Sequence, residues 1–129
     1  MKLQSHSVAV SKNPEELYNF LTNVENFERL MPENIQKFEK IGEDKFVFAL
    51  KGMPEIYLQM DESTPHSEVV LKAASDKIPF KLKCDIQPRD TGSEAQLHFE
   101  GKFNTMMGMM IKSPIQNFIN QLADGLSKL

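Results

Sequence analysis

The run from Asn104 to Leu129, NTMMGMMIKSPIQNFINQLADGLSKL, constrains this chain more than any other stretch. Met107, Met110, Ile111, Ile115, Phe118, Leu122, Leu126 and Leu129 recur at steps of three and four. That period places them on one broad apolar face of a helix. Lys112, Gln116, Asn120, Asp124 and Ser127 fall on the opposite side. Such a helix would measure roughly 35 Å, enough to cross a small sheet. A face this long must be covered, and everything upstream reads as short strands that need a cover.

The upstream chain begins with a strand over Lys2 to Val10. Asn13-Pro14-Glu15-Glu16 then opens a helix. Asn suits the N-cap, Pro the first helical position, and Glu16 the third position of a capping box. This helix is predicted over Pro14 to Thr22, burying Leu17, Phe20 and Leu21. A second short helix is predicted over Glu25 to Leu30, stopping before Met31-Pro32 because a residue preceding proline avoids helix. From Ile35 the pattern changes to strands parted by turn residues. They are Ile35–Ile41, Lys45–Lys51, Glu55–Ser63, Glu68–Ser75, Ile78–Gln87 and Glu94–Phe103. The turns fall at Gly42-Glu43-Asp44, Gly52-Met53-Pro54, Thr64-Pro65-His66 and Asp76-Lys77, with a longer loop over Pro88 to Ser93. Connections this short make neighbouring strands antiparallel.

Alternation gives each strand an apolar and a polar face. Phe46, Phe48, Leu50, Ile56, Leu58, Met60, Val69, Leu71, Ala73, Phe80, Leu82, Cys84, Ile86, Leu97, Phe99, Gly101 and Phe103 share one side. The charged residues, with Gln59, Gln96 and His98, share the other. A one-residue bulge would invert the faces of any one strand.

The predicted order is strand, two short helices, six strands and one long helix. This order, with Asn13-Pro14-Glu15-Glu16-Leu17-Tyr18-Asn19-Phe20-Leu21-Thr22-Asn23 followed by Met31-Pro32, resembles the START-like or Bet v 1-like superfamily. That superfamily includes polyketide cyclases and small lipid-transfer proteins. Asn23 stands where its members often carry aspartate. The Gly52-Met53-Pro54 turn and Pro114 are also similar to members of the kind named for a carbon-monoxide-dehydrogenase subunit. The resemblance implies a single α+β domain of the helix-grip type. In it a seven-stranded curved antiparallel sheet wraps around the C-terminal helix, often with an apolar cavity between them. It implies a binding scaffold and no particular chemistry.

Composition narrows the function classes. A chain of 129 residues suits one domain. A net charge of −3 argues against nucleic acid, which demands a dominant basic face. No apolar run approaches the length of a membrane span, and MKLQSHSVAV lacks the apolar core of a signal peptide. A lone cysteine, Cys84, forms no internal disulfide. A cytoplasmic protein is expected, a monomer or weak homodimer, with peripheral membrane contact left open.

No metal-ligand spacing joins His6, His66 and His98, and no phosphate loop, nucleophile elbow or zincin helix is present, so no cofactor or metal is expected. Cys84 shares the phase of Phe80, Leu82 and Ile86 and reads as core. The Met106-Met107-Gly108-Met109-Met110 segment is apolar almost all round. Unbranched thioethers suit the mouth of a cavity that takes varied apolar ligands, or a membrane or protein contact. Pro114 predicts a kink, read either as a hinge for this segment or as a bend that follows the sheet. Alternatively, the stable helix begins at Ser113.

The expected function is non-catalytic binding of a small hydrophobic molecule such as a lipid, fatty acid or polyketide-like compound. Phe48, Leu58, Met60, Leu71, Phe80, Leu82 and Phe99 would line the cavity from the sheet, and Met107, Met110, Ile111 and Phe118 from the helix. Two alternatives stay open. A cyclase or dehydratase would need Tyr57, Asp61, His98 or Glu100 to face inward. A protein without a cavity would act as an adaptor through Met106 to Met110.

Overall fold

A computed structural model of the chain describes residues 1–31, 33, 35–50, 55–74 and 80–129. The Gly52-Met53-Pro54 turn, the Asp76-Lys77 link, the first residues of the Ile78–Gln87 strand and Pro32 of the Met31-Pro32 corner lie outside the described residues.

Helix α1 spans Pro14–Leu21 and starts where its capping chemistry places it. The Asn13 side-chain oxygen accepts the Glu16 N–H at 2.8 Å, and the Glu16 carboxylate accepts the Asn13 N–H at 3.2 Å. Two helix-end donors are thus satisfied by one reciprocal pair. A 3-10 helix over Val24–Leu30 follows, capped by Asn23, and buries Val24, Phe27 and Leu30.

Among the described residues, eight strands form one antiparallel sheet. They are β1 (Lys2–Gln4), β2 (Val8–Val10), β3 (Ile35–Lys40), β4 (Lys45–Leu50), β5 (Ile56–Met60), β6 (Glu68–Ala73), β7 (Phe80–Arg89) and β8 (Gly92–Gly101). The order across the sheet is β1-β8-β7-β6-β5-β4-β3, with β2 also paired to β8. Helix α2, Thr105–Leu126, packs on β8, β1, β2 and the 3-10 helix. The expected α+β helix-grip arrangement is present, with two differences in the strands.

The first is that the initial strand is broken, which raises the strand count from seven to eight. Gln4 pairs with His98 and Val8 with Ala95, so four steps on one side match three on the other. This is a one-residue bulge. Ser5 pins it: its N–H donates to the Leu97 carbonyl at 2.9 Å, and its hydroxyl accepts the Leu97 N–H at 3.0 Å. Leu3 and Val10 are seven residues apart and would face opposite sides of an unbroken strand. The bulge turns both onto the core.

The second is that no long loop separates β7 from β8. Pairing continues to Pro88↔Ser93 and Arg89↔Gly92, leaving a turn at Asp90-Thr91. Gly92 makes this possible. Its φ is +146°, and a Cβ there would overlap the Val10 carbonyl oxygen, which β2 presses against the turn.

The alternation expected from the sequence holds on β4 through β8. Phe46, Phe48, Leu50, Leu58, Val69, Leu71, Leu82, Cys84, Ile86, Leu97 and Phe99 are buried on the concave side. Val47 and Val70 are buried on the outer side as well. Tyr57 and Glu39 lie across from Val47, and Lys83 across from Val70. The stems of such long side chains cover apolar surface while their polar ends stay wet.

Candidate functional site

Helix α2 lies in the grip of the sheet and divides into two halves. Asn104 caps it, its side-chain oxygen accepting the Met107 N–H at 2.8 Å, and the helix runs unbroken through Pro114 to Leu126. The stable helix therefore does not begin at Ser113. Beyond Pro114, Ile115, Phe118, Ile119, Leu122, Ala123 and Leu126 are buried. Before Pro114 no residue of the helix is buried.

The side chains expected to line a cavity form three groups. Phe48, Leu58, Leu71, Leu82, Phe99 and Phe118 are fully buried. Met60, Phe80 and Ile111 are half-buried and pack on the margin of the same core, and Met107 is half-buried. Met110 departs from the expected apolar face: it is 71% exposed. Its neighbour Ile111 takes the inward position, and the opposite side of the turn points to solvent.

Aromatic rings meet across the space between helix and sheet and along its margin. The Phe48 and Phe118 rings stack at 4.8 Å with 13° between their planes. Phe80 meets Phe99 at 5.1 Å, and Phe99 stacks on Phe103 at 6.0 Å. Phe27, Phe38 and Phe48 each contact Phe46. Among the described residues, one small void inside this core measures about 10 Å³. It is bounded by Leu71 and Leu82, with Leu21, Phe27, Leu30, Val69, Cys84, Leu97, Leu122 and Leu126. That volume is about one water-sized sphere and excludes any organic ligand. Leu21, Phe27 and Leu30 border it from α1 and the 3-10 helix, elements that the expected lining omitted. Their apolar spacing was the available signal.

The buried polar side chains among the described residues are Ser5 and Ser93. Ser5 serves the bulge, and the Ser93 hydroxyl donates to the Lys12 carbonyl at 2.7 Å. Burial pushes the Cys84 thiol up to about 12, so it stays protonated and inert. Among the described residues, the interior therefore offers apolar contact and no ionised acid or base.

The ionisable residues weighed for catalysis lie on the outer face. Tyr57 and Glu100 are exposed. Asp61, His98 and Glu100 border an open groove of about 630 Å³ on that face, together with Lys2, Lys81, Lys83 and Glu68. Several of its charges are paired: Asp61 with Lys81 at 3.3 Å, Lys83 with Asp85 at 3.5 Å, and Lys2 with Glu100 at 4.0 Å. The Glu62 backbone N–H, assisted by Lys81, holds the Asp61 carboxyl below its usual range. His98 Nε2 lies 2.8 Å from Asp85 Oδ2 but out of line for a hydrogen bond, which leaves that shielded nitrogen with a close charge and no aligned partner. Among the described residues, no cluster of His, Cys, Asp and Glu could hold a metal ion, and no helix is long and apolar enough to cross a membrane.

No protein family model matches the chain. No curated protein matches it either. Solved structures match it from end to end. The KanY protein is 11% identical with a TM-score of 0.75, over 99% of this chain and 95% of its own. TTHA0849 from Thermus thermophilus is 11% identical with a TM-score of 0.74, over the same shares. The Aha1 dimer from Colwellia psychrerythraea is 13% identical with a TM-score of 0.66, over 98% of this chain and 96% of its own. At such identities the likeness establishes a helix-grip-like fold and nothing finer.

Proposed function

We propose that this protein binds a small hydrophobic molecule, such as a lipid, fatty acid or polyketide-like compound, between α2 and the concave face of the sheet. In this reading it is a non-catalytic member of the START-like or Bet v 1-like superfamily, working as a monomer or homodimer. The observation that carries it is the chemistry of the interior. The described concave face is apolar throughout its centre, and its buried hydroxyls are already bonded to backbone. Affinity would come from buried apolar area, at about 25 cal/mol per Å². With few polar contacts to orient a ligand, selectivity is low.

The packing of the described core sets the route. A ligand would part Phe118 from Phe48, or lift the first half of α2 away from the sheet's margin. Phe48, Leu58, Met60, Leu71, Phe80, Leu82 and Phe99 would then contact it from the sheet. Met107, Met110, Ile111 and Phe118 would contact it from the helix, with Met110 turning inward as the helix moves.

Native mass spectrometry of freshly purified protein, with organic extraction of the same sample, tests this reading. A retained adduct that reappears in the extract supports it and names the ligand class. A bare mass, together with no uptake of a fluorescent fatty acid, would overturn it. The 10 Å³ void favours a second reading in that event, a filled-core adaptor that works through the Met106 to Met110 surface.

A further inference from the structure

Met106, Met109 and Met110 are 75%, 78% and 71% exposed, the highest values among the large apolar side chains described. Steps of three and four place them on one outward face of α2. Lys102 and Lys112, both exposed, flank them. From Gly101 to Ala123 the sequence holds these two lysines and no carboxylate, within a chain whose net charge is −3. Apolar surface and local positive charge thus coincide at the end of the helix that the core does not bury.

We propose that this face docks on a lipid bilayer surface carrying anionic headgroups. The three methionines enter the boundary between headgroups and acyl chains, and Lys102 and Lys112 meet the headgroup anions. The Asn104 cap satisfies the Met107 N–H, so the exposed half remains helical up to the lipid. Flexible thioethers conform to a fluid surface that has no fixed shape. The patch lacks the tyrosine, tryptophan and arginine anchors that concentrate binding energy at a protein interface. This inference stands apart from the ligand reading, because docking needs no open interior.

The test is sedimentation of the ligand-free full chain with vesicles of three parts phosphatidylcholine to one part phosphatidylserine. The protein is expected to co-sediment. Each lysine near an anionic surface contributes about fivefold, so binding falls by about tenfold or more on pure phosphatidylcholine, and added salt weakens it. The triple variant Met106→Gln, Met109→Gln, Met110→Gln should keep its circular dichroism spectrum and lose about tenfold or more in vesicle affinity. The pair Lys102→Gln, Lys112→Gln should lose the preference for phosphatidylserine. Absence of co-sedimentation would overturn the proposal, and so would a triple variant that binds as well as the parent. A parent that dimerises through this patch without binding vesicles would assign the face to a second copy and overturn it too.

Discussion

The two halves of α2 share a backbone and a composition rich in apolar residues, yet only one belongs to the core. After Pro114 the helix buries six side chains against β8, β1, β2 and the 3-10 helix. Before Pro114 it shows three methionines to solvent. The buried half supplies core packing, and of the other half Ile111 packs on the core's margin. Pro114 stands between them, and its missing N–H leaves the Met110 carbonyl without its usual helical donor. One hydrogen bond is therefore absent at the boundary between the anchored half and the exposed half.

The largest effect expected from breaking this comparison comes from Phe118→Ala. It removes the ring stacked on Phe48 and should destabilise the fold by about 3–5 kcal/mol in urea unfolding. A loss below about 1 kcal/mol would mean that the core does not depend on the second half, contrary to its burial.

Pro114→Ala restores a donor to the Met110 carbonyl. Stability should rise, by up to about 3 kcal/mol, and amide exchange between Met107 and Ser113 should slow toward that of the second half. Unchanged exchange would show that something other than the proline sets the boundary.

The two glycines of the helix sharpen the contrast at smaller scale. A Cβ at Gly108 meets nothing within 4 Å, so Gly108→Ala should stabilise by about 0.5–1 kcal/mol through helix propensity alone. A Cβ at Gly125 lies 3.3 Å from the Leu30 carbonyl oxygen, a backbone atom that cannot easily give way. Gly125→Ala should gain less or lose stability, and equal gains at both sites would contradict the tight docking of the second half. The smallest effect belongs to Met109→Ala, expected within about 0.5 kcal/mol because the side chain touches little.

Much of this comparison was legible in the residues, and the rest failed for identifiable reasons. The period of α2 predicted its apolar face, and Ile115, Phe118, Leu122 and Leu126 are buried as expected. The same period placed Met110 on that face and passed over Ile119 and Ala123, which are fully buried. A helical wheel gives direction around the axis but not what stands opposite each turn. The second half is enclosed broadly enough to bury Ile119 and Ala123, while the first half receives little cover from the described residues. The break at Ser5 was hidden because a bulge leaves no composition signal, although the odd spacing of Leu3 and Val10 required one. Pro88 falls in the loop expected over Pro88 to Ser93, since proline is uncommon within strands. Here it pairs with Ser93 at the close of β7, where Gly92 lets the turn tighten against β2.

By itself the sequence determined the start of α1, the antiparallel order of β4 to β8, the inward phase of each of those strands and the core placement of Cys84. These follow from capping chemistry, short connections and strict alternation, all of which act within a few residues. Tertiary structure alone decided that Phe48 and Phe118 stack across the interior, and that Met106, Met109 and Met110 face outward. Side-chain volumes do not specify backbone curvature. The space between a helix and a sheet depends on how that curvature brings distant residues together.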